Sequence, residues 1–221
     1  RRALRAATSG ADELTYFSID KRDGGVAVVS IDCPGESVNT LSAGMMADFD
    51  RVMDIVEGDA GIRAVVLASG KPGNWVAGAD IKMLDKAESA EELTALAHNG
   101  QKAMDRIANS KKPFIAAIDG VCMGGGLELA LACHYRIATS SKKTVLSVPE
   151  SQIGLLPGAG GTQRLPKLVG IQAALTMITT GQNIKADRAK RMGLVHEVVD
   201  PFALEHAASA AAAEILEGSL K

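Results

Sequence analysis

Two glutamates in this chain stand beside glycine-rich, apolar backbone. Glu128 lies in CMGGGLELA, residues 122–130, where Gly124, Gly125 and Gly126 directly follow an apolar stretch; Glu150 lies at the head of PESQIGLLPGAGG. A chain that turns straight from a strand into a helix leaves the first N–H groups of the helix without intrahelical partners, and glycine lets a ligand approach them closely. The three glycines are therefore candidate donors to a carbonyl oxygen or an oxyanion, although a tight turn or close helix packing would use them equally well. A glutamate in the first turn is favoured by the helix dipole, so Glu128 taken singly also suits a capping role. A third stretch, WVAGADIKML, sets Gly78 and Ala79 before a helix whose expected N-cap is Asp80, and its small residues would again leave a backbone N–H exposed. Two carboxylates and two N–H donors are the parts of an acid/base reaction through an enolate. A dinucleotide site does not fit, because GxGxxG is missing and no phosphate-gripping lysine follows.

Positioning these groups requires alternating strands and helices. LTYFSID and GVAVVSID read as a hairpin around KRDGG. Ser42 is the expected N-cap of a helix with Met45, Phe49, Val52, Met53 and Val56 on its apolar face, ending near Gly58. IRAVVLAS and NWVAGA read as strands. SAEELTALAHNGQKAMDRIANSKKP reads as a long helix opened by a Ser89/Glu92 capping box and stopped before Pro113, its apolar face being Leu93, Leu96, Ala97, Gly100, Met104 and Ile107. PFIAAIDG is the next strand, followed by the glycines and the helix LELALAC. HYRIATS, TVLSVPE, the loop IGLLPGAGG, the helices TQRLPKLVG and QAALTMITTG, the stretch ADRAKRMGLVHEVV and an alanine-rich final helix complete an α/β pattern.

Composition bounds the partners. With 221 residues, 47% of them hydrophobic, and a net charge of −2, one globular domain without a basic nucleic-acid footprint is expected. No apolar run is long enough to span a bilayer. Cys33, Cys122 and Cys133 show no CxxC spacing, which predicts reduced thiols. His98, His134, His196 and His206 form no ligand pattern, so surface or helix-end positions and no metal are expected. Residues 1–14 begin RRALRAATSGA, Arg-rich and without an acid before Asp12, as in a transit-peptide remnant; this predicts a mitochondrial protein with its domain at residues 15–221.

In combination, AGADI, IDGVCMGGGLELALAC, PESQIGLLPGAGGTQRLPKLVG and ADRAKRMGLVHEVV resemble the crotonase (enoyl-CoA hydratase/isomerase) superfamily from about residue 15 onward. Within it, SVNTLS, HYRIATSSKKTVLSVPE and QRLPKLVG are most similar to the hydratase domains of mitochondrial trifunctional α subunits. The resemblance implies a spiral of ββα units, with the family's C-terminal helical region truncated at Lys221. It implies oxyanion donors at Ala79 and Gly125, catalytic carboxylates at Glu128 and Glu150, and a water site lined by Gly158. Ala79, Asp80, Ile81 and Lys82 would hold the pantetheine and phosphate end of a coenzyme A thioester, which is substrate rather than cofactor; no separate cofactor is implied. The implied activity is hydration of a trans-2-enoyl-CoA to a 3-hydroxyacyl-CoA in long-chain β-oxidation, with Glu128 as base and Glu150 as acid. Isomerisation of a Δ3 double bond to Δ2, or a non-catalytic assembly role, are the alternatives. The implied partners are a thiolase β subunit, further copies in a trimer, and the inner membrane.

Overall fold

A computed structural model describes residues 14–220. The Arg-rich start read as a transit peptide falls, through residue 13, outside the described residues. The chain opens with the expected hairpin, β1 (Phe17–Lys21) and β2 (Val26–Ile31), pairing antiparallel with Phe17 opposite Ile31. α1 (Ala43–Gly58) follows, and Ser42 caps it by accepting from the Met45 N–H. Then come β3 (Ala64–Ser69), β4 (Asn74–Val76), α2 (Ile81–Asp85), α3 (Ala90–Ala108), β5 (Phe114–Ile118), β6 (Val121–Met123) and α4 (Gly125–Ala132). β7 (Tyr135–Thr139), β8 (Val145–Ser147), α5 (Gly161–Val169), α6 (Ile171–Thr180), β9 (Ile184–Lys185), α7 (Ala186–Arg191), β10 (Glu197–Val199) and α8 (Leu204–Glu217) complete it.

The strands form two sheets, ordered β1-β2-β3-β5-β7-β10 and β4-β6-β8-β9. Each of the pairs β3–β4, β5–β6 and β7–β8 gives its first strand to the large sheet and its second to the small one before the chain enters helical structure. Successive turns stack in parallel register, which is the expected ββα spiral. The corner between β5 and β6 is the part that the sequence did not disclose, since PFIAAIDG reads as one strand leading to the glycines, with no separate strand expected at Val121–Met123. Gly120 makes the break at φ +82, and a Cβ there would fall 1.9 Å from the Gly73 carbonyl carbon. Asp119 fixes the same corner, accepting from the Gly73 N–H and the Thr139 hydroxyl.

Burial follows the pattern of the runs. One face of the large sheet carries Val26, Val28, Ala64, Val66, Ile115 and Ile137 against Ala208, Ala211 and Ala212 of α8, whose small side chains let helix and sheet approach closely. The other face packs on α1 through Met45, Phe49, Val52, Met53 and Val56, and on the fully buried Trp75. Large apolar side chains of this kind contribute roughly 1.5–3 kcal/mol each. α3 departs from expectation. Its buried residues are Ala103, Met104 and Ile107, whereas Leu93 in the first turns is 39% exposed. Ser89 caps the helix as predicted, but Glu92 closes back on the N–H of Glu88 instead of that of Ser89.

Two of the histidines are exposed as expected and also serve the backbone. The Nδ1 of His134 accepts from the Phe114 N–H and that of His196 from the Arg136 N–H, so both pair backbone groups that strand geometry leaves open. All three cysteines are free and buried. Among the described residues, no helix is long and apolar enough to cross a membrane.

Candidate active site

The three consecutive glycines do three different things. Gly124 turns the chain from β6 into α4 at φ +52, its N–H donating to the Ser147 carbonyl. Gly126 is required by packing, because a Cβ there would lie 2.2 Å from the Val76 carbonyl oxygen of β4. Gly125 is the first residue of α4, so its N–H has no intrahelical acceptor. Close packing is thus the part of Gly126, the turn that of Gly124, and Gly125 has its N–H open to an acceptor.

Ala79 supplies a second free donor for a geometric reason. Its parallel bridge to Leu41 is made by its neighbours: the Leu41 N–H donates to Gly78 O at 2.8 Å, and the Asp80 N–H donates to Leu41 O at 3.1 Å. The N–H of Ala79 therefore points away from Leu41. Neither it nor the Gly125 N–H meets a protein acceptor among the described residues. A Cβ at Gly125 would sit 3.6 Å from Ala79 N, 2.9 Å from Leu41 Cδ1 and 3.9 Å from Glu128 Oε2, so the missing side chain leaves a recess between both donors and a carboxylate.

Glu128 projects from α4, 2% exposed, with Oε1 accepting from the N–H groups of Ala159 at 2.8 Å and Gly161 at 2.7 Å. Burial pushes its carboxyl above the ordinary range, while those N–H groups and the Arg164 charge pull it partly back. Glu150 enters from the turn after β8, and a Cβ on Gly124 would lie 3.0 Å from its Oε1. Burial pushes Glu150 up to about 7, against a stabilising backbone hydrogen bond, and the charge of Glu128 adds to the rise. Its Oε2 is buried without a partner. The two carboxyls thus lie in unlike surroundings: burial raises both, Glu150 to about 7, while two N–H donors on Oε1 favour the ionised form of Glu128.

The sequence and the fold are similar to those of known proteins. A family model described as enoyl-CoA hydratase/isomerase covers residues 21–221. The chain belongs to the enoyl-CoA hydratase/isomerase family. Its curated relatives include the fatty acid oxidation complex subunit alpha of Idiomarina loihiensis, 50% identical over 196 residues, which are 86% of this chain and 28% of that protein. The corresponding subunit of Shewanella loihica is 49% identical over 83% of this chain and 26% of its own length. The chain therefore spans about a quarter of the length of these relatives. Among solved structures, the Bacillus anthracis enoyl-CoA hydratase superposes with a TM-score of 0.84 at 34% identity, over 91% of this chain and 76% of that one. Pseudomonas aeruginosa DspI gives 0.86 at 34% identity, over 96% and 84%. These curated relatives are bacterial, which overturns the mitochondrial assignment drawn from the Arg-rich start: that composition is not specific to organellar targeting, and the chain points to a bacterial protein.

Of the residues the family resemblance singled out, the structure brings Ala79, Gly125, Glu128 and Glu150 to one recess. Asp80 caps α2 by accepting from the Lys82 N–H, and the side chains of Ile81 and Lys82 are exposed beside it. Gly158 lies in the loop that grips Glu128; its carbonyl accepts from Gln101 Nε2 at 2.8 Å. Sequence reasoning missed the grip itself, supplied by Ala159 and Gly161, together with Arg164 and Asp105, which pair at 2.5 Å behind the loop. The glycines of PGAGG before a helix were the available signal, since a helix N-terminus suits a carboxylate as well as a ligand.

Proposed function

We propose that this chain adds water across the double bond of a trans-2-enoyl-CoA thioester to give a 3-hydroxyacyl-CoA. The observation that carries the reading is the pair of carboxyls, Glu128 gripped by two N–H groups and Glu150 with a buried, unpartnered Oε2, beside two free N–H donors. Glu128, ionised, takes a proton from water as the water oxygen bonds to C3. The electron pair of the double bond moves toward the thioester oxygen, where the N–H groups of Ala79 and Gly125 hold the developing charge; each such donor is worth about 3–4 kcal/mol. Glu150, protonated, then gives its proton to C2. The product has gained one water, and exchange with solvent returns the proton from Glu128 to Glu150. The thioester is itself the electron sink, so the reaction needs no separate cofactor.

The N–H groups near Ala79 to Lys82, with the exposed Lys82 ammonium, would receive the pantetheine and phosphate end of the substrate, and Gly158 would border the attacking water. We further propose a preference for long acyl chains and assembly with a thiolase-type β subunit, on the strength of relatives named as subunits of a fatty acid oxidation complex. The test is loss of enoyl-thioester absorbance with trans-2-enoyl-CoA substrates of four to sixteen carbons, in the wild type, Glu128→Gln and Glu150→Gln. No hydration by the wild type at micromolar enzyme, or undiminished hydration in either variant, would sink the proposal. Conversion of a 3-enoyl-CoA that survives in Glu150→Gln would add an isomerase activity using one carboxylate.

A further inference from the structure

We infer that one face of α3 sets the position of Glu128 through the loop of residues 158–161, so that Gln101 and Asp105 are positioning residues that act without touching substrate. Residues 97, 101 and 105 are four apart, residue 100 is three from 97, and together they share a helix face. That face carries the loop. A Cβ on Gly158 would be 3.7 Å from Ala97 Cβ, and one on Gly100 would be 3.2 Å from Ala159 Cβ. Gln101 Nε2 donates to Gly158 O at 2.8 Å, and Asp105 holds Arg164, whose Nη1 donates to Ala159 O at 3.2 Å.

Peptide planarity makes these contacts matter. The carbonyl of one residue and the N–H of the next belong to one rigid plane and point in opposite directions. The hydrogen bond from Gln101 to Gly158 O therefore aims the Ala159 N–H, which reaches Glu128 Oε1 from the other side of the same plane. The bond from Arg164 to Ala159 O fixes the following plane. Gly160 O accepts from the N–H groups of Gln163 and Arg164 in α5, which fixes the plane carrying the Gly161 N–H, the second donor to Glu128. Three successive planes are thus anchored by their carbonyls, two of them through α3, and both grips on the carboxylate depend on them. The charged groups facing Glu128 are Arg164 from α5 and Glu150 from the turn after β8, with Asp105 acting on it through Arg164.

Gln101 is exposed, so Gln101→Leu removes the hydrogen bond without opening the core. The kinetic arm of the test rests on the hydration reading. In the wild-type background of the whole chain, Gln101→Leu and Asp105→Asn should lower kcat roughly 10- to 100-fold with KM within threefold, and Asp105→Glu should restore most of it. A second arm needs no substrate: the Glu128 carboxyl, followed by carbon-13 NMR of labelled glutamate, should titrate at least about half a pH unit higher in both weakening variants as the N–H grip loosens. A wild type that fails to hydrate removes the hydration reading and leaves the titration to decide. An unmoved Glu128 titration in Gln101→Leu and Asp105→Asn overturns the inference, as does an unchanged kcat in an active enzyme.

Discussion

Replacing Glu150 by glutamine should raise stability and slow hydration, with the first effect appearing only above the acid range. The Glu150 carboxyl titrates at about 7, against 4.5 for an ordinary glutamate. The folded state holds this proton more tightly than the unfolded chain does. Its contribution is fully present below pH 4.5 and is lost as pH rises through about 7. At about 1.36 kcal/mol per pH unit, the loss for a fully desolvated group would be roughly 3 kcal/mol. Glu150 is only partly buried, so solvent screening reduces the expected figure to about 1–2 kcal/mol. Glutamine keeps the shape and carries no proton to lose. The stability difference, Glu150→Gln minus wild type, should therefore grow by about 1–2 kcal/mol between pH 4 and pH 8. Urea titrations followed by the fluorescence of Trp75, the chain's single tryptophan, would read it at several pH values. The same preparation should hydrate roughly 10²- to 10⁴-fold more slowly, the range expected for loss of a general acid. A stability difference that stays constant with pH would refute the burial argument, and hydration within threefold of wild type would refute the acid role.

Glu128→Gln should cost roughly 10²- to 10⁴-fold in hydration, and it should let Glu150 titrate below about 7, because the like charge that raises it is gone; carbon-13 NMR of the carboxyl checks the second point. Gly125→Ala places a methyl 3.6 Å from Ala79 N and within reach of the mobile end of Leu41, so kcat/KM should drop at least about 100-fold with little change in thermal stability. Gly126→Ala is the contrasting variant: its methyl meets the Val76 carbonyl oxygen at 2.2 Å, and calorimetry or urea titration should show a loss of roughly 3 kcal/mol or more. The pH profile of kcat/KM should fall on its alkaline side near pH 7, where the Glu150 proton is lost, and an alkaline limb placed near 10 would assign the acid elsewhere.

The chain's own pattern determined much of this protein. Apolar alternation in GVAVVSID and IRAVVLAS, the Ser42 and Ser89 caps and the helical stripe of α1 are local properties, set by contacts within a few residues, and they fix element type and order. Glu128 and Glu150 stood out beside glycine-rich apolar sequence, but a first-turn glutamate also suits a cap, and their pairing as catalytic carboxylates came from the resemblance to the family. Which glycine turns and which packs was not legible, and the donor position, Gly125, came only from the family resemblance. Gly124, Gly125 and Gly126 are identical in sequence terms, and only the positions of Glu150, Leu41 and Val76, brought up by other elements, separate their roles. The corner at Gly120 was hidden for the same reason, since the clash that demands glycine comes from Gly73, far off in the chain. The unlike surroundings of the two carboxyls also belong to tertiary structure, because desolvation and the grip of Ala159 and Gly161 on Glu128 exist only once α5 lies against α4. Local interactions reach a few residues along the chain. A pKa and an open N–H are set by what folding brings within a few ångströms in space.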